Sequence, residues 1–189
     1  MPIRTFDDNT TAYKTNMKSI LATTRFNNKT WQENRAFLEK ATNNGDLPVK
    51  TKCLYNCSIP IASTIPIFAN LFVLEMNNEI NQIMGIGLLK NQSPEYNKYP
   101  IYSDAKYNQY AYQGTYHIDR AEMTDEELEL VRILEKWCFR GFRHQKRLQG
   151  IKAFPYDILY DYKASTQRDV AVEIANMFKT RFLSKKPDE

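Results

Sequence analysis

Residues 69–90, which read ANLFVLEMNNEINQIMGIGLLK, constrain the fold more than any other stretch of the chain. An apolar run at 71–76 meets a polar turn, and a second apolar run follows at 83–89. Apolar runs on both sides of turn residues predict a β-hairpin with two largely buried strands, placed in the centre of a sheet. Gly85 and Gly87 stand two residues apart and therefore share a face of the second strand. Their missing side chains predict a bend in the sheet or the close approach of another group.

The two ends of the chain differ in composition from the part between them. Residues 1–24 are polar and rich in Thr and Asn, and we expect an extended N-terminal arm there. Residues 184–189 are expected to form a C-terminal tail. No linker or repeat interrupts residues 25–183, which predicts a single α+β domain. Its expected core is a small curved β-barrel of about five or six strands, flanked by about three helices.

Three helix starts can be predicted from capping residues. Thr30 and Thr124 are each followed, three positions later, by a glutamate, Glu33 and Glu127. This spacing is the capping box, in which the two residues bond each other's backbone N–H groups. Ser165 is predicted to cap the last helix.

The remaining segments predict strands. Residues 109–118 alternate in polarity and predict a half-buried strand. Residues 156–162 contain Tyr, Ile and Leu and are interpreted as another strand. Residues 53–68 are expected to be irregular or to form short strands, because Pro60 and Pro66 cannot occupy a central strand.

Charge is unevenly distributed along the chain, although the net charge is only +4. Residues 119–129 carry six acids, whereas residues 140–152, here called the basic segment, carry five bases and no acid. Such a segment favours contact with phosphates. The predicted phosphate-binding residues are Arg140, Arg143, Lys146 and Arg147. The alternative is a solvated loop that follows an acidic helix.

Several classes of site and location are not expected. The chain has three cysteines without paired CxxC motifs and only two histidines, so no metal site, cofactor or disulfide framework is predicted. No hydrolase or nucleotide-loop motif occurs, and an enzyme is not expected. The start lacks an apolar signal core, and no apolar run is long enough for a membrane span. We therefore expect a protein of a reducing intracellular compartment, the cytoplasm, with no membrane partner.

Aromatic residues beside polar ones suggest a nucleobase pocket. Aromatic rings stack on bases, and amides or hydroxyls bond base edges. We therefore predict that Trp31, Tyr55 and Tyr102 surround a base, and that Asn56 or Ser58 bonds its edge. The alternative is that each of these tyrosines fills the core, since tyrosine is common throughout the chain.

The order of these elements resembles the PUA-like superfamily, and within it the YTH and EVE branches, over residues 50–120. Gly85-Ile86-Gly87 is similar to the Gly-containing segment of the family's second hairpin strand. Ile118-Asp119-Arg120 resembles a later strand end, with Arg in place of the family's Trp. The whole chain also resembles uncharacterised proteins of large DNA viruses, which implies a virus-infected cell as its setting.

The resemblance implies a function and a site. It implies that Tyr55 takes the position of the first cage tryptophan, Asn56 that of the neighbouring polar group, and Tyr102 that of the second cage aromatic. The expected function is nucleic-acid binding, with RNA preferred over DNA and with a modified base as one candidate ligand. The alternative is a structural or scaffolding protein that binds another protein without ligand or catalysis. A small ribonuclease is a third reading, because ASCH-type relatives of the fold include such enzymes.

Overall fold

The computed structural model describes residues 6–16 and 19–183. The predicted tail at 184–189 lies outside these residues, as do residues 1–5 and 17–18 of the predicted arm. The strands of the described part are β1 Ser19–Phe26, β2 Cys53–Cys57, β3 Asn70–Asn77, β4 Gln82–Lys90, β5 Glu95–Tyr96, β6 Tyr110–Asp119 and β7 Lys152–Ala153. The helices are α1 Phe6–Asn16, α2 Asn28–Asn44, α3 Asp125–Phe139, α4 Tyr156–Thr166 and α5 Val170–Phe182. Short 3₁₀ turns lie at Ala105–Asn108 and Arg120–Glu122.

The strands form one strongly curled sheet, a half-barrel, in the order β2-β6-β4-β3-β1-β7, with β5 added beside β6. The α+β class with a curved sheet is therefore confirmed, and so is the hairpin, which occupies the sheet centre as β3 and β4. β1 runs parallel to β3, and the other pairings are antiparallel. The two free edges of the half-barrel are β2 and β7.

The two hairpin glycines face close neighbours, as predicted. A Cβ atom on Gly85 would lie 2.6 Å from Glu75 Oε2 and 2.8 Å from His117 Nε2. A Cβ atom on Gly87 would overlap the Tyr55 hydroxyl and lie 2.8 Å from Cys53 Sγ. Glycine is required at both positions because buried polar side chains occupy the space that a larger residue would need.

Apolar side chains form two clusters, one on each face of the sheet. Ala22 and Val73 belong to the cluster that includes β2 and receives α2, whereas their neighbours Leu21 and Leu74 belong to the cluster covered by α3, α4 and α5. Adjacent strand residues point to opposite faces, so the central strands are buried on both sides. No helix among the described residues is long and apolar enough to cross a membrane.

The predicted extended arm is wrong for the residues that the structure describes there. Residues 6–16 form α1, where the Tyr13 hydroxyl donates to Asp169 Oδ1 at 3.0 Å. Residues 19–24 belong to β1, and Ile20 to Thr24 are buried. Main-chain hydrogen bonds hold a strand in a sheet whatever its side-chain polarity, so a Thr-rich segment can form a buried strand beside β3.

The first predicted helix begins earlier than expected. Asn27 is the N-cap of α2, and Thr30 occupies the third helical position, from which its hydroxyl accepts from the Asn27 N–H at 2.9 Å. The capping box therefore joins Asn27 to Thr30, and not Thr30 to Glu33. The second box is confirmed, with Thr124 at the N-cap of α3 and Glu127 as its partner.

Residues 156–162 belong to a helix, α4, and their interpretation as a strand is wrong. Pro155 precedes the first turn, where the fixed φ of proline suits a helix start. Ser165 lies inside α4 and bonds the carbonyl of Asp161. The cap of the last helix is instead Asp169, whose carboxylate accepts from Val172 N–H.

Candidate functional site

A polar and aromatic cavity of about 240 Å³ lies beside the ends of β1, β2 and β3. Five separate parts of the chain contribute to it: the end of β1 with the start of α2, the end of β2, the turn after β3, the loop before β6, and the basic segment. Its lining consists of Thr24, Arg25, Phe26, Asn27, Thr30, Asn56, Cys57, Ser58, Asn78, Tyr102, Tyr107, Gln149 and Gly150. We call it the seam cavity.

The parallel strands β1 and β3 place two asparagines at one end of the cavity. Asn27 follows β1 and Asn78 follows β3, and the ends of neighbouring parallel strands lie at one edge of a sheet. The Asn78 N–H donates to the Phe26 carbonyl at 2.8 Å, which keeps the two strand ends together. The helix α2 also starts here, and its N-terminus carries a partial positive charge. The Asn28 N–H in that first turn is bonded to Glu79 Oε2.

The basic segment forms one wall of the seam cavity. The Lys146 carbonyl accepts from Arg25 Nη1 at 3.2 Å and from Asn78 Nδ2 at 3.0 Å. These bonds attach the segment to the ends of β1 and β3. At Gly150 the chain turns with φ +69°, and an added Cβ would lie 3.0 Å from the Ile59 side chain. The glycine therefore lets the segment approach the chain that follows β2.

An amide network positions Asn56 and Tyr102. Asn56 Nδ2 donates to Asn108 Oδ1 at 3.1 Å and to the Tyr99 carbonyl at 2.5 Å. Asn108 in turn bonds both backbone groups of Tyr102, accepting from its N–H at 3.0 Å and donating to its carbonyl at 2.7 Å. The loop before β6 is therefore held by side-chain amides, and its aromatic residues have fixed positions.

Two carbonyl oxygens at the cavity lack hydrogen-bond partners among the described residues. They are Asn56 Oδ1 and Asn78 Oδ1, and both atoms are buried. Asn56 itself is only 7% exposed. A buried acceptor without a partner is destabilising, so a hydrogen-bond donor that reached either oxygen would stabilise it.

Two tyrosines supply the aromatic part of the lining. The rings of Tyr102 and Tyr107 meet edge to face, with centroids 6.4 Å apart and planes at 89°. Tyr102 is buried, and this burial raises the pKa of its hydroxyl, which accepts a hydrogen bond from Asn34 Nδ2. Tyr107 is half-buried and is the ring of the pair with more open surface.

Tyr55 does not line the seam cavity, contrary to the sequence prediction. It is 1% exposed, and its hydroxyl donates to Glu75 Oε1 at 2.8 Å. Glu75 also accepts from Arg35 Nη2 at 3.1 Å and pairs with His117 Nε2 at 2.9 Å. Burial acts to raise the pKa of Glu75, but His117, Arg35 and Tyr55 outweigh it and hold the pKa below its usual range. Burial raises the pKa of Tyr55 well above its usual value.

Trp31 also lies away from the cavity lining, although it is near it. Its ring packs edge to face against Phe26 at 5.2 Å and lies under the Arg35 guanidinium at 4.3 Å. Of the five predicted pocket residues, the structure therefore places Asn56, Ser58 and Tyr102 around one cavity and uses Trp31 and Tyr55 elsewhere.

The four predicted phosphate-binding residues differ in their surroundings. Arg143 is paired with Asp157 at 2.5 Å, and Lys146 Nζ donates to Asn81 Oδ1 at 2.8 Å. Arg140 and Arg147 are exposed. Arg143 is exposed as well but is occupied by Asp157, so among the described residues Arg140 and Arg147 are the exposed members of the set without a carboxylate partner.

Sequence reasoning missed the polar cluster around Glu75 and most of the cavity. Only 10% of the His117 side chain is exposed, because it faces Glu75. A lone acid in the apolar run of β3, opposite a glycine of β4, is a local signal for this cluster. Arg25, Asn78 and Gln149 had no such signal, because only the fold brings them together.

Within residues 6–16 and 19–183, no group of three or more His, Cys, Asp or Glu side chains is arranged to hold a metal ion. Comparisons with protein-family models, with curated proteins and with solved structures found no match to this chain.

Proposed function

We propose that this protein binds single-stranded nucleic acid, with RNA preferred, and that one unpaired base enters the seam cavity while its backbone follows the basic segment. One observation carries the proposal: the basic segment is itself a wall of the cavity, attached by the bonds from Arg25 and Asn78 to the Lys146 carbonyl. Positive charge and a polar, aromatic cavity therefore occur at one place.

The cavity suits a small flat polar group. Its volume of about 240 Å³ is below the roughly 300–1,000 Å³ typical of sites for drug-sized ligands. Tyr107 offers a ring face for stacking, and the free oxygens of Asn56 and Asn78 offer acceptors for the N–H groups of a base edge.

Charge around the cavity suits the phosphates. Arg25 is the charged residue of the lining, while Arg140 and Arg147 lie exposed in the basic segment. Cations that neutralise phosphates release counterions, so binding should weaken steeply with salt.

The resemblance to the YTH and EVE branches belongs to this proposal and is supported by the positions of Asn56 and Tyr102, but not by that of Tyr55.

The test is fluorescence anisotropy with labelled single-stranded RNA and DNA of one sequence, between about 50 and 200 mM salt. Tyr107→Ala should weaken binding by roughly 1–3 kcal/mol, the usual range for loss of one stacked base. Tyr96→Ala is the matched control, because Tyr96 is 65% exposed on β5 and does not line the cavity. Asn78→Ala removes one free acceptor and the bond to Lys146.

Failure to bind either nucleic acid at low salt would refute the proposal and favour the scaffolding alternative. Equal losses in Tyr107→Ala and Tyr96→Ala would refute the cavity as the site. Appearance of cleaved RNA during the same measurements would favour the ribonuclease reading.

A further inference from the structure

The basic segment presents a fully exposed phenylalanine, Phe142. It follows Gly141, which lies two residues after the last residue of α3 and has a left-handed φ of +76°. Arg140 and Arg143 flank the pair in sequence. An aromatic side chain displayed in water between two guanidinium groups contributes nothing to the core.

The turn that carries Phe142 is anchored on its C-terminal side. Gln145 is 5% exposed, its N–H donates to the Cys138 carbonyl at 2.8 Å, and its Nε2 donates to the Arg143 carbonyl at 2.6 Å. Arg143 is also paired with Asp157 at 2.5 Å. A hydrogen-bonded turn therefore fixes the backbone at Phe142 while its ring stays exposed to solvent. Less conformational entropy is then lost when the ring contacts a ligand.

The same segment leads directly to the seam cavity. Lys146, four residues after Phe142, is bonded to Arg25 and Asn78 of the cavity, and four residues span at most about 14 Å. Phe142 therefore lies within about 14 Å of the residue that bonds the strand ends beside the cavity, so a strand whose base occupies the cavity can extend along the basic segment toward Phe142. Arg140 and Arg147, both exposed, lie on the two sides of this path in the sequence.

Resting on the proposed function, we infer that Phe142 is a second binding element that stacks on an unpaired base next to the one in the cavity. Stacking on an aromatic side chain tolerates every base, so this contact adds affinity without selecting sequence. The ligand it fits is a single strand, because the bases of a duplex are already stacked on each other. A membrane surface is less suited, since peripheral helices present a broad apolar face to lipid, and Phe142 is a single ring among cations.

The experiment uses labelled oligonucleotides of about eight nucleotides, a length within the site sizes of single-strand binders. Three probes are compared: a uridine single strand, an abasic strand with the same phosphates, and a duplex. Phe142→Ala should weaken binding of the uridine strand roughly 5- to 100-fold and leave the abasic strand and the duplex unchanged. Phe142→Trp should retain binding. The melting temperature should not change in either variant, because the side chain is fully exposed.

Phe68→Ala is the matched control. Phe68 is 69% exposed, so it is a second phenylalanine with an exposed ring, and its neighbour Ile67 is exposed too. Phe68 precedes β3, whereas the cavity lies at the other end of that strand. The strand has eight residues, so its two ends are about 26 Å apart. This variant should bind all three probes like the unmodified protein.

The outcomes separate this inference from the proposed function. Binding of the uridine strand by the unmodified protein together with equal binding by Phe142→Ala would overturn the stacking role and leave the proposed function standing. Equal losses for the uridine and abasic strands would also overturn it. Loss of binding to phosphatidylserine vesicles in Phe142→Ala, with the uridine strand unaffected, would show that the ring serves a membrane instead. No binding of any strand would overturn both proposals.

Discussion

Replacement of Gly87 by alanine should destabilise the protein through a defined chain of contacts. The new Cβ would overlap the Tyr55 hydroxyl, and the next nearest atoms, Cys53 Sγ at 2.8 Å and Tyr55 Cζ at 3.0 Å, leave little room. Overpacking of a core costs about 1–3 kcal/mol. Because the ring must move, Tyr55 also loses its bond to the buried Glu75 carboxylate, worth about 1.5–3 kcal/mol for a charged partner. The total is about 2.5–6 kcal/mol, a large part of a typical stability of about 5–15 kcal/mol.

A double variant tests this reasoning more sharply than the single change. Tyr55→Phe alone removes the same hydrogen bond and should cost about 1.5–3 kcal/mol. In Tyr55→Phe with Gly87→Ala the bond is lost only once, and the overlapping oxygen is absent. The double variant should therefore be more stable than the sum of the single losses predicts, by at least about 1.5–3 kcal/mol.

The assay is urea-induced unfolding, followed by circular dichroism, for the unmodified protein and all three variants. If Gly87→Ala is unfolded without urea, addition of Tyr55→Phe should restore a cooperative transition. Losses that add within about 0.5 kcal/mol, as independent sites do, would refute the contact between residue 87 and the Tyr55 hydroxyl.

Three further predictions concern acid stability, salt and thiols. The pKa of Glu75 is lowered in the folded state by His117, Arg35 and Tyr55, so its contribution to stability is present above the pKa of the unfolded chain and is lost as pH falls through the folded pKa; Glu75→Gln should flatten this acid limb in melting-temperature measurements, and an unchanged limb would contradict the assignment. Arg140→Ala with Arg147→Ala should weaken binding to all sequences alike and reduce the salt slope by about two, one for each lost phosphate contact; an unaltered slope would mean that both are only solvated. Burial raises the pKa of the Cys53 and Cys57 thiols to about 12, so both should react with a thiol reagent only after unfolding, and rapid labelling of the folded protein would contradict their burial.

The sequence predicted elements whose signals are local. The hairpin at 69–90 has apolar runs on both sides of a turn, and Thr124 with Glu127 forms a capping box within one helical turn. β1 escaped prediction because its stability depends on β3, about fifty residues away in the register Ser19 to Asn70, and not on its own composition. Residues 156–162 were ambiguous because a short run of large side chains fits either a strand or a helix. The packing of Leu159, with Ile158 and Tyr162, into the cluster covered by α3, α4 and α5 favours the helix in the fold.

One error in the predicted site could have been avoided from the sequence alone. Tyr55 and Asn56 were assigned to one pocket, yet they are neighbours in β2, and neighbouring strand residues point to opposite faces. Tyr55 shares its face with Cys53, and both approach Gly87. Asn56 therefore had to lie on the other face, where it bonds Asn108 and reaches the seam cavity.

The same alternation explains how one short strand serves two purposes. Cys53 and Tyr55, the two residues of β2 that approach Gly87, belong to the buried interior. There the Tyr55 hydroxyl donates a hydrogen bond to the Glu75 carboxylate. Changes there should act on stability first.

Asn56 retains a carbonyl oxygen without a partner among the described residues, which favours a ligand over a purely structural role. Asn56→Ala removes the free acceptor and the two bonds that Asn56 Nδ2 donates to Asn108 and Tyr99, and Asn56→Asp replaces that donor with a charged oxygen facing the same two acceptors, so both variants should be less stable. Anisotropy and thermal melting on both variants distinguish the roles: a fall in affinity of the folded fraction, larger for Asn56→Asp because its charge repels an anionic strand, supports the ligand, and unchanged affinity in the folded fraction of both variants contradicts it.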